Sequence, residues 1–275
     1  MASAPDLPPL REVVAALGLD ARRSLGQHFL FDLNLTRRIA RAAAPLAGRT
    51  IVEIGPGPGA LTRSLLAQGA GRVLAIEKDA RFLPALAAIA EAYPGRLDVL
   101  NADALDVDAR AHVHGPAKIV ANLPYNVATP LVVESLERVP SLERWCVMVQ
   151  REVSDRFFAS PRTKAYGAVS VLVQLHARKV GFHPVPPTVF RPRPRVESAL
   201  VAFVRVPGPP LGEVRPVVDA AFAHRRKTLP NSVSLSGLAT RARAEEALSA
   251  IGKSPGVRAE ELAPEEFVAL AEALA

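Results

Sequence analysis

The spacing of apolar residues changes several times along the chain, and each change marks an element. Short apolar runs at 50–54, 72–76, 97–100, 119–121 and 145–150 have strand length and end in polar or Gly/Pro segments. Between them, 60–68, 80–92 and 130–138 have helical spacing, with Pro84 tolerable near the start of its helix. Two earlier helices are expected at 10–17 and 34–44, the second ending before Pro45. Strand–helix alternation of this kind predicts an α/β fold with a doubly wound, largely parallel sheet.

The pattern differs after residue 150. A helix is expected at 151–158, followed by two β-rich runs at 169–180 and 198–206 joined by a Pro-rich loop. Strands joined without a crossover helix predict an antiparallel edge on the sheet. Val206-Pro207-Gly208-Pro209-Pro210 breaks the chain, and only helical spacing follows it. The expected division is therefore a sheet domain over 1–207, opened by a segment at 1–45, and a small all-helical domain over 208–275.

With 275 residues, 49% of them apolar, the chain can build one large core and a smaller second one. Its apolar runs are too short to cross a bilayer, and the N-terminus shows no charged-then-apolar leader, so the cytoplasm is the expected location. Cys146 is the only cysteine, which excludes a disulfide framework and a cysteine-based zinc site. The 6 histidines show no metal-ligand spacing, and no metal is expected. A net charge of +7 changes the picture through its distribution. Arg178, Lys179, Arg191, Arg193, Arg195 and Arg205 are opposed only by Glu197; Arg225, Arg226 and Lys227 follow, then Arg241 and Arg243. Glu245, Glu246, Glu260, Glu261, Glu265 and Glu266 make the C-terminal end acidic. That asymmetry predicts a basic face suited to a polyanion.

Glu53-Ile54-Gly55-Pro56-Gly57-Pro58-Gly59 leaves the first strand of the alternation and opens a helix. Its glycines allow a tight turn and a ligand lying against bare backbone. The G-x-G-x-G spacing differs from the G-x-G-x-x-G that seats a dinucleotide pyrophosphate on a helix N-terminus. S-adenosylmethionine carries no phosphate, but has an ammonium, a carboxylate, a ribose and an adenine. Glu77, ending the next strand, is placed to accept both ribose hydroxyls, because a carboxylate is an acceptor only. Asp103, after the third, can accept from the adenine amine. Gly55, Gly57, Glu77 and Asp103 thus fall at successive carboxyl ends of strands, where ligands of such folds bind.

Asn122-Leu123-Pro124-Tyr125 follows the fourth strand at the same sheet edge. The amine of a base is a poor nucleophile because its lone pair is delocalised into the ring. Two acceptors aimed at its hydrogens, the Asn122 side-chain oxygen and the Leu123 carbonyl, return that lone pair to nitrogen. Pro124 stiffens the loop. Tyr125 offers a stacking face, an interaction worth ~1–3 kcal/mol per base. Alone, this tetrapeptide indicates only a planar amine, whether of adenine, cytosine or glutamine. Phe190, in a rigid Pro- and Arg-rich loop at 186–194, is the candidate for the opposite face of a flipped base.

On these residues the chain resembles the small-subunit (16S) ribosomal RNA adenine N6,N6-dimethyltransferase family. The motifs are Ser24-Leu25-Gly26-Gln27-His28-Phe29-Leu30, the glycine loop, Asn122-Leu123-Pro124-Tyr125, the 189–198 segment around Phe190, and His224-Arg225-Arg226-Lys227-Thr228-Leu229-Pro230-Asn231-Ser232. The resemblance implies a Rossmann-like class I methyltransferase using S-adenosylmethionine. It implies cofactor contacts at His28, Leu30, Gly55, Glu77, Asp103 and Asn122. It further implies two methyl groups on each of two adjacent adenosines in a 16S rRNA hairpin loop, within the small ribosomal subunit or its assembly intermediate. Rather than a membrane, Arg225, Arg226 and Lys227 of the C-terminal domain would meet the rRNA backbone, and a monomer is expected. A methylase of large-subunit rRNA would share the cofactor loop, but the 26–30 and 224–232 segments favour the small-subunit enzyme. A non-catalytic assembly factor is disfavoured by the intact Glu77, Asp103 and Asn122. A nicotinamide oxidoreductase is disfavoured by the loop spacing.

Overall fold

A computed structural model describes residues 7–19, 27–124 and 127–275. Helix α1 (Leu10–Ala16) precedes a two-residue strand β1 (Phe29–Leu30), and α2 (Leu33–Ala42) follows, capped by the Asp32 carboxylate on the Asn34 and Leu35 N–H groups. The alternation then runs β2 (Thr50–Ile54), α3 (Ala60–Ala67), β3 (Arg72–Glu77), α4 (Leu83–Ala92), β4 (Leu97–Asn101), β5 (Ala117–Asn122), α5 (Ala128–Arg138) and β6 (Leu142–Gln150). Helices α6 (Arg151–Phe157) and α7 (Ala168–Gln174) lead to β7 (Ala177–Val185), β8 (Phe190–Arg191) and β9 (Ser198–Arg205). Four helices finish the chain: α8 (Leu211–Phe222), α9 (Leu229–Leu235), α10 (Arg241–Ala250) and α11 (Pro264–Leu274).

Seven strands form one sheet in the order β4-β3-β2-β5-β6-β9-β7. From β4 to β6 the pairs are parallel, and β9 joins β6 antiparallel, so the sheet carries an antiparallel edge. All five residues of β2 are buried, which is why that strand reads as an apolar run rather than an alternation. The core packs across the sheet through residues such as Ile51, Leu65, Val73, Leu86 and Val120. Trp145 of β6 stacks on Phe203 of β9 at 5.3 Å and donates its indole N–H to Ser135 on α5.

The apolar run at 169–180 is not one strand: its first part is α7, and β7 starts only at Ala177. Val171, Leu172 and Val173 are all buried, and a continuous apolar run has no period to separate helix from strand. Nor does a single cut at 207 describe the packing. One compact unit holds the residues up to Arg151 with Lys179–Val204; the other holds Glu152–Arg178 with Arg205–Ala275. Segment 152–178 belongs to the second because Tyr166, fully buried, donates its hydroxyl to the Leu262 carbonyl at 2.7 Å and packs on Phe222, which stacks on Phe267.

Within the first unit, Lys118 of β5 is only 3% exposed, and its ammonium donates to the Ala43 and Pro45 carbonyls at 2.8 and 2.6 Å. Burial holds its pKa below the usual lysine value. The contact ties the strand that ends in Asn122 to the end of α2. Lys118→Met keeps the apolar stem and removes both bonds; it should lower unfolding stability by ~2 kcal/mol, read by urea denaturation, because two buried carbonyls lose their donor.

Candidate cofactor and amine site

The strand order reverses at β2, whose neighbours are β3 on one side and β5 on the other. A cavity of about 240 Å³ opens there, at the carboxyl ends of β2–β5. His28, Leu30, Gly55, Gly57, Glu77, Asp103, Asn122, Leu123 and Pro124 all line it, so segments far apart in sequence meet in one place.

The loop after β2 is shaped by its glycines. Gly55 and Gly57 take left-handed φ values of 66° and 55°. At Gly59, the N-cap of α3, φ is 89° and a Cβ would fall 2.2 Å from Cδ1 of Ile89. The turn carries the Gly57 N–H onto Oε2 of Glu77 at 2.9 Å, while the Asp79 N–H reaches Oε1 at 2.8 Å. The Glu77 carboxyl is buried, and that burial raises its pKa. Each oxygen accepts one backbone bond and retains a lone pair for a ligand hydroxyl.

Glu53 is 1% exposed and also lines the cavity; its Oε2 has no hydrogen-bond partner among the described residues. Burial pushes its pKa up to about 8, and the Glu77 charge adds to the rise. Asp103 has the opposite environment. Lys78 donates to its Oδ2 at 2.6 Å and the Leu105 N–H to its Oδ1 at 3.1 Å, which holds its pKa below the usual aspartate value.

The segment carrying His28 and Leu30 is fixed by β1, which pairs antiparallel with β8: Phe29 faces Arg191 and Leu30 faces Phe190. His28 Nδ1 donates to the Pro192 carbonyl at 2.8 Å. The His28 carbonyl in turn accepts from the Asn122 side-chain nitrogen at 3.3 Å, leaving the Asn122 oxygen as the acceptor for a substrate. Leu123 is buried and donates its N–H to Met148 on β6 at 3.0 Å, and the Pro124 carbonyl accepts from Val127. Tyr125 lies outside the described residues.

Phe190 does not offer the stacking face its loop suggests. It is 1% exposed, belongs to the hydrophobic core and meets the His28 ring edge-on at 6.4 Å, so it presents no open face to a base. Its pairing with Leu30 draws the ring inward, where it anchors the segment that walls the cavity. In the second unit, Arg225, Arg226 and Lys227 are all exposed, and Arg225 is tied to Glu260 at 3.1 Å and to the Lys164 carbonyl at 3.0 Å. Lys78 and Phe82 also line the cavity without distinctive sequence signals, and Gln27 joins them from the motif that carries His28. The signal for Gln27 was its place beside His28; Lys78 and Phe82 sit one and five residues beyond Glu77, with no distinctive pattern of their own.

A G-x-G-x-G loop at the switch point, a buried strand-end carboxylate and an Asn-Leu-Pro turn define a Rossmann-like, S-adenosylmethionine-dependent methyltransferase. The donor set fits that cofactor: buried carboxylates with spare lone pairs suit hydroxyls and a cationic group, and nothing in the loop is built around a phosphate. Residues 18–275 match the family model described as ribosomal RNA adenine dimethylase, and the chain belongs to that family. A relative from Cereibacter sphaeroides named ribosomal RNA small subunit methyltransferase A is 50% identical over 100% of both chains. One of the same name from Paracoccus denitrificans is 49% identical over 100% of this chain and 99% of its own. Among solved structures, a dimethyladenosine transferase from Plasmodium falciparum superposes with a TM-score of 0.73 at 22% identity, covering 88% of this chain and 96% of that one. The 23S rRNA methyltransferase ErmE gives 0.64 at 28% identity, covering 90% and 99%.

Glu53 carries a pH signature. Its carboxyl has a reference pKa of 4.5 and a folded value of about 8, so between these the folded state holds a proton that the unfolded chain has released. The stability it contributes is complete below the lower value and is lost as pH rises through the upper one. Glu53→Gln should flatten the fall in melting temperature across that window; an unchanged pH profile would show that Glu53 is ionised in the fold.

Proposed function

We propose that this protein transfers methyl groups to the N6 amines of two adjacent adenosines in a hairpin loop of small-subunit (16S) ribosomal RNA, giving dimethyladenosines. It acts on the small subunit or its assembly intermediate, as a cytoplasmic monomer. The observation that carries the reading is the orientation of Asn122. Its amide nitrogen is engaged by the His28 carbonyl, which leaves its oxygen as an acceptor in the same cavity as Gly57, Glu77 and Asp103. The full-length relatives named for the small subunit favour that substrate over the large-subunit rRNA named for ErmE.

S-adenosylmethionine, when bound, supplies an electrophilic methyl on a sulfonium. Glu77 would hold the ribose and Asp103 the adenine amine, with His28 and Leu30 covering the ligand. Asn122 Oδ1 accepts one N6 hydrogen of the target base and the Leu123 carbonyl the other, which concentrates the lone pair on nitrogen. The bound cofactor would supply its methyl to that nitrogen with the thioether as leaving group, and the N6 proton would pass to solvent. No strong base is required, since the amine becomes acidic only after transfer; positioning and fixed dipoles do most of the work. Tyr125 supplies a stacking face for the base. In the helical unit, Arg226 and Lys227 meet phosphates, while Arg225, already paired, contributes less.

Incubating the protein with labelled S-adenosylmethionine and under-methylated small or large subunits, followed by mass spectrometry, should place dimethyladenosine in the small-subunit rRNA alone. Product in the large-subunit rRNA, or none, refutes the proposal. Asn122→Ala should reduce turnover by ~100-fold, in line with loss of one transition-state hydrogen bond, with RNA affinity little changed. Replacing Arg226 and Lys227 by Ala should reduce the slope of log affinity against log salt by about one for each.

A further inference from the structure

Asp79 is buried two residues beyond Glu77 and meets four groups at once. Its N–H donates to Glu77 Oε1 at 2.8 Å. Its Oδ1 accepts from the Arg81 N–H at 3.2 Å and from Arg81 Nε at 2.9 Å. Its Oδ2 accepts from Arg81 Nη2 at 2.5 Å and from Gln27 Nε2 at 2.9 Å. The first Oδ1 contact is an ordinary helix-start cap for residues 80–82. The cap accounts for one oxygen only. The other reaches across 52 positions to the residue immediately before His28.

We propose that Asp79 is a positioning residue that couples the ribose-side carboxylate of Glu77 to the segment bearing His28 and Leu30, with Gln27 as the link. The Glu77 carboxylate is aimed by the Asp79 backbone, and segment 27–30 is held by the Asp79 side chain. One residue therefore sets two walls of the cofactor cavity. Arg81 keeps the carboxyl ionised and well below the usual aspartate range, so the Gln27 bond goes to a full charge. Arg81 also lies over the Phe82 ring at 5.7 Å, and Phe82 meets Phe29 edge-on at 5.6 Å, so the apolar packing beneath the network joins the same two segments. A ligand contacting both walls is bound more tightly when they are held in register, and its binding tightens the link in return.

The inference rests on the cofactor roles assigned above to His28, Leu30 and Glu77, and the test separates the two. Dissociation constants for S-adenosylhomocysteine are measured by calorimetry on the full chain with Gln27→Ala, Asp79→Asn, the double variant and Glu77→Gln. Gln27→Ala should weaken binding about tenfold, the effect of losing one hydrogen bond to a charged group. The KM for S-adenosylmethionine should rise in parallel, with the loss confined to KM rather than kcat. If Gln27 acts through Asp79, the double variant binds no worse than the weaker single one. Wild-type affinity in Gln27→Ala while Glu77→Gln is impaired overturns the coupling alone, as do additive losses in the double variant. Undiminished binding by Glu77→Gln overturns the assignment of the cofactor site itself.

Discussion

A carboxylate taken out of water at the end of β3 sets the geometry of this site. Glu77 is 6% exposed, and a desolvated negative charge is unfavourable unless donors surround it. Two backbone N–H groups provide the answer, from Gly57 and Asp79. The first requires the loop after β2 to turn back over β3, which a left-handed φ at Gly57 permits and a side chain there would resist. The second requires a sharp turn directly after the strand, and Asp79 stabilises that turn by capping residues 80–82. The shape of the cavity follows from satisfying one charge.

The site keeps its carboxyls in different states by giving them different partners. Glu53 is enclosed with an unpartnered oxygen and holds its proton up to a pH of about 8. Asp103 and Asp79 each face a cation, Lys78 and Arg81, and both are pushed toward ionisation. At Glu77 burial raises the pKa, and backbone donors oppose the rise. Such divergence among four carboxyls in one region is the mark of groups assigned separate tasks. Cys146 illustrates the contrast: burial raises its thiol to about 11, and it is inert packing.

Much of this was legible in the chain. The strands that carry Glu77 and Asn122 have apolar runs bounded by breakers, and the positive-φ loop announces itself through glycine. Segment 169–180 is hard to place from sequence because a Val-rich stretch buried in the helical unit carries no periodicity, and because the aromatic contacts of Tyr166 that settle its place are tertiary. Phe190 was misjudged for a related reason. Its neighbours are prolines and arginines, which look like a surface loop, while its burial comes from pairing with Leu30, some 160 positions earlier. Gln27 and Asp79 share that property: each is ordinary in its local sequence, and only the fold brings them together.

The same short segment serves both halves of the site. Residues 27–30 wall the cofactor cavity through His28 and Leu30, and through the His28 carbonyl they fix which way the Asn122 amide faces. An amide turned over would present hydrogens to the target amine instead of an oxygen, and N–H donors there would repel the amine hydrogens that an acceptor must engage. The acceptor needed for chemistry is thus specified by a backbone group placed by the pairing of β1 with β8. Catalytic orientation and cofactor enclosure share one support, so the amine site is complete only when the segment that covers the methyl donor is in place.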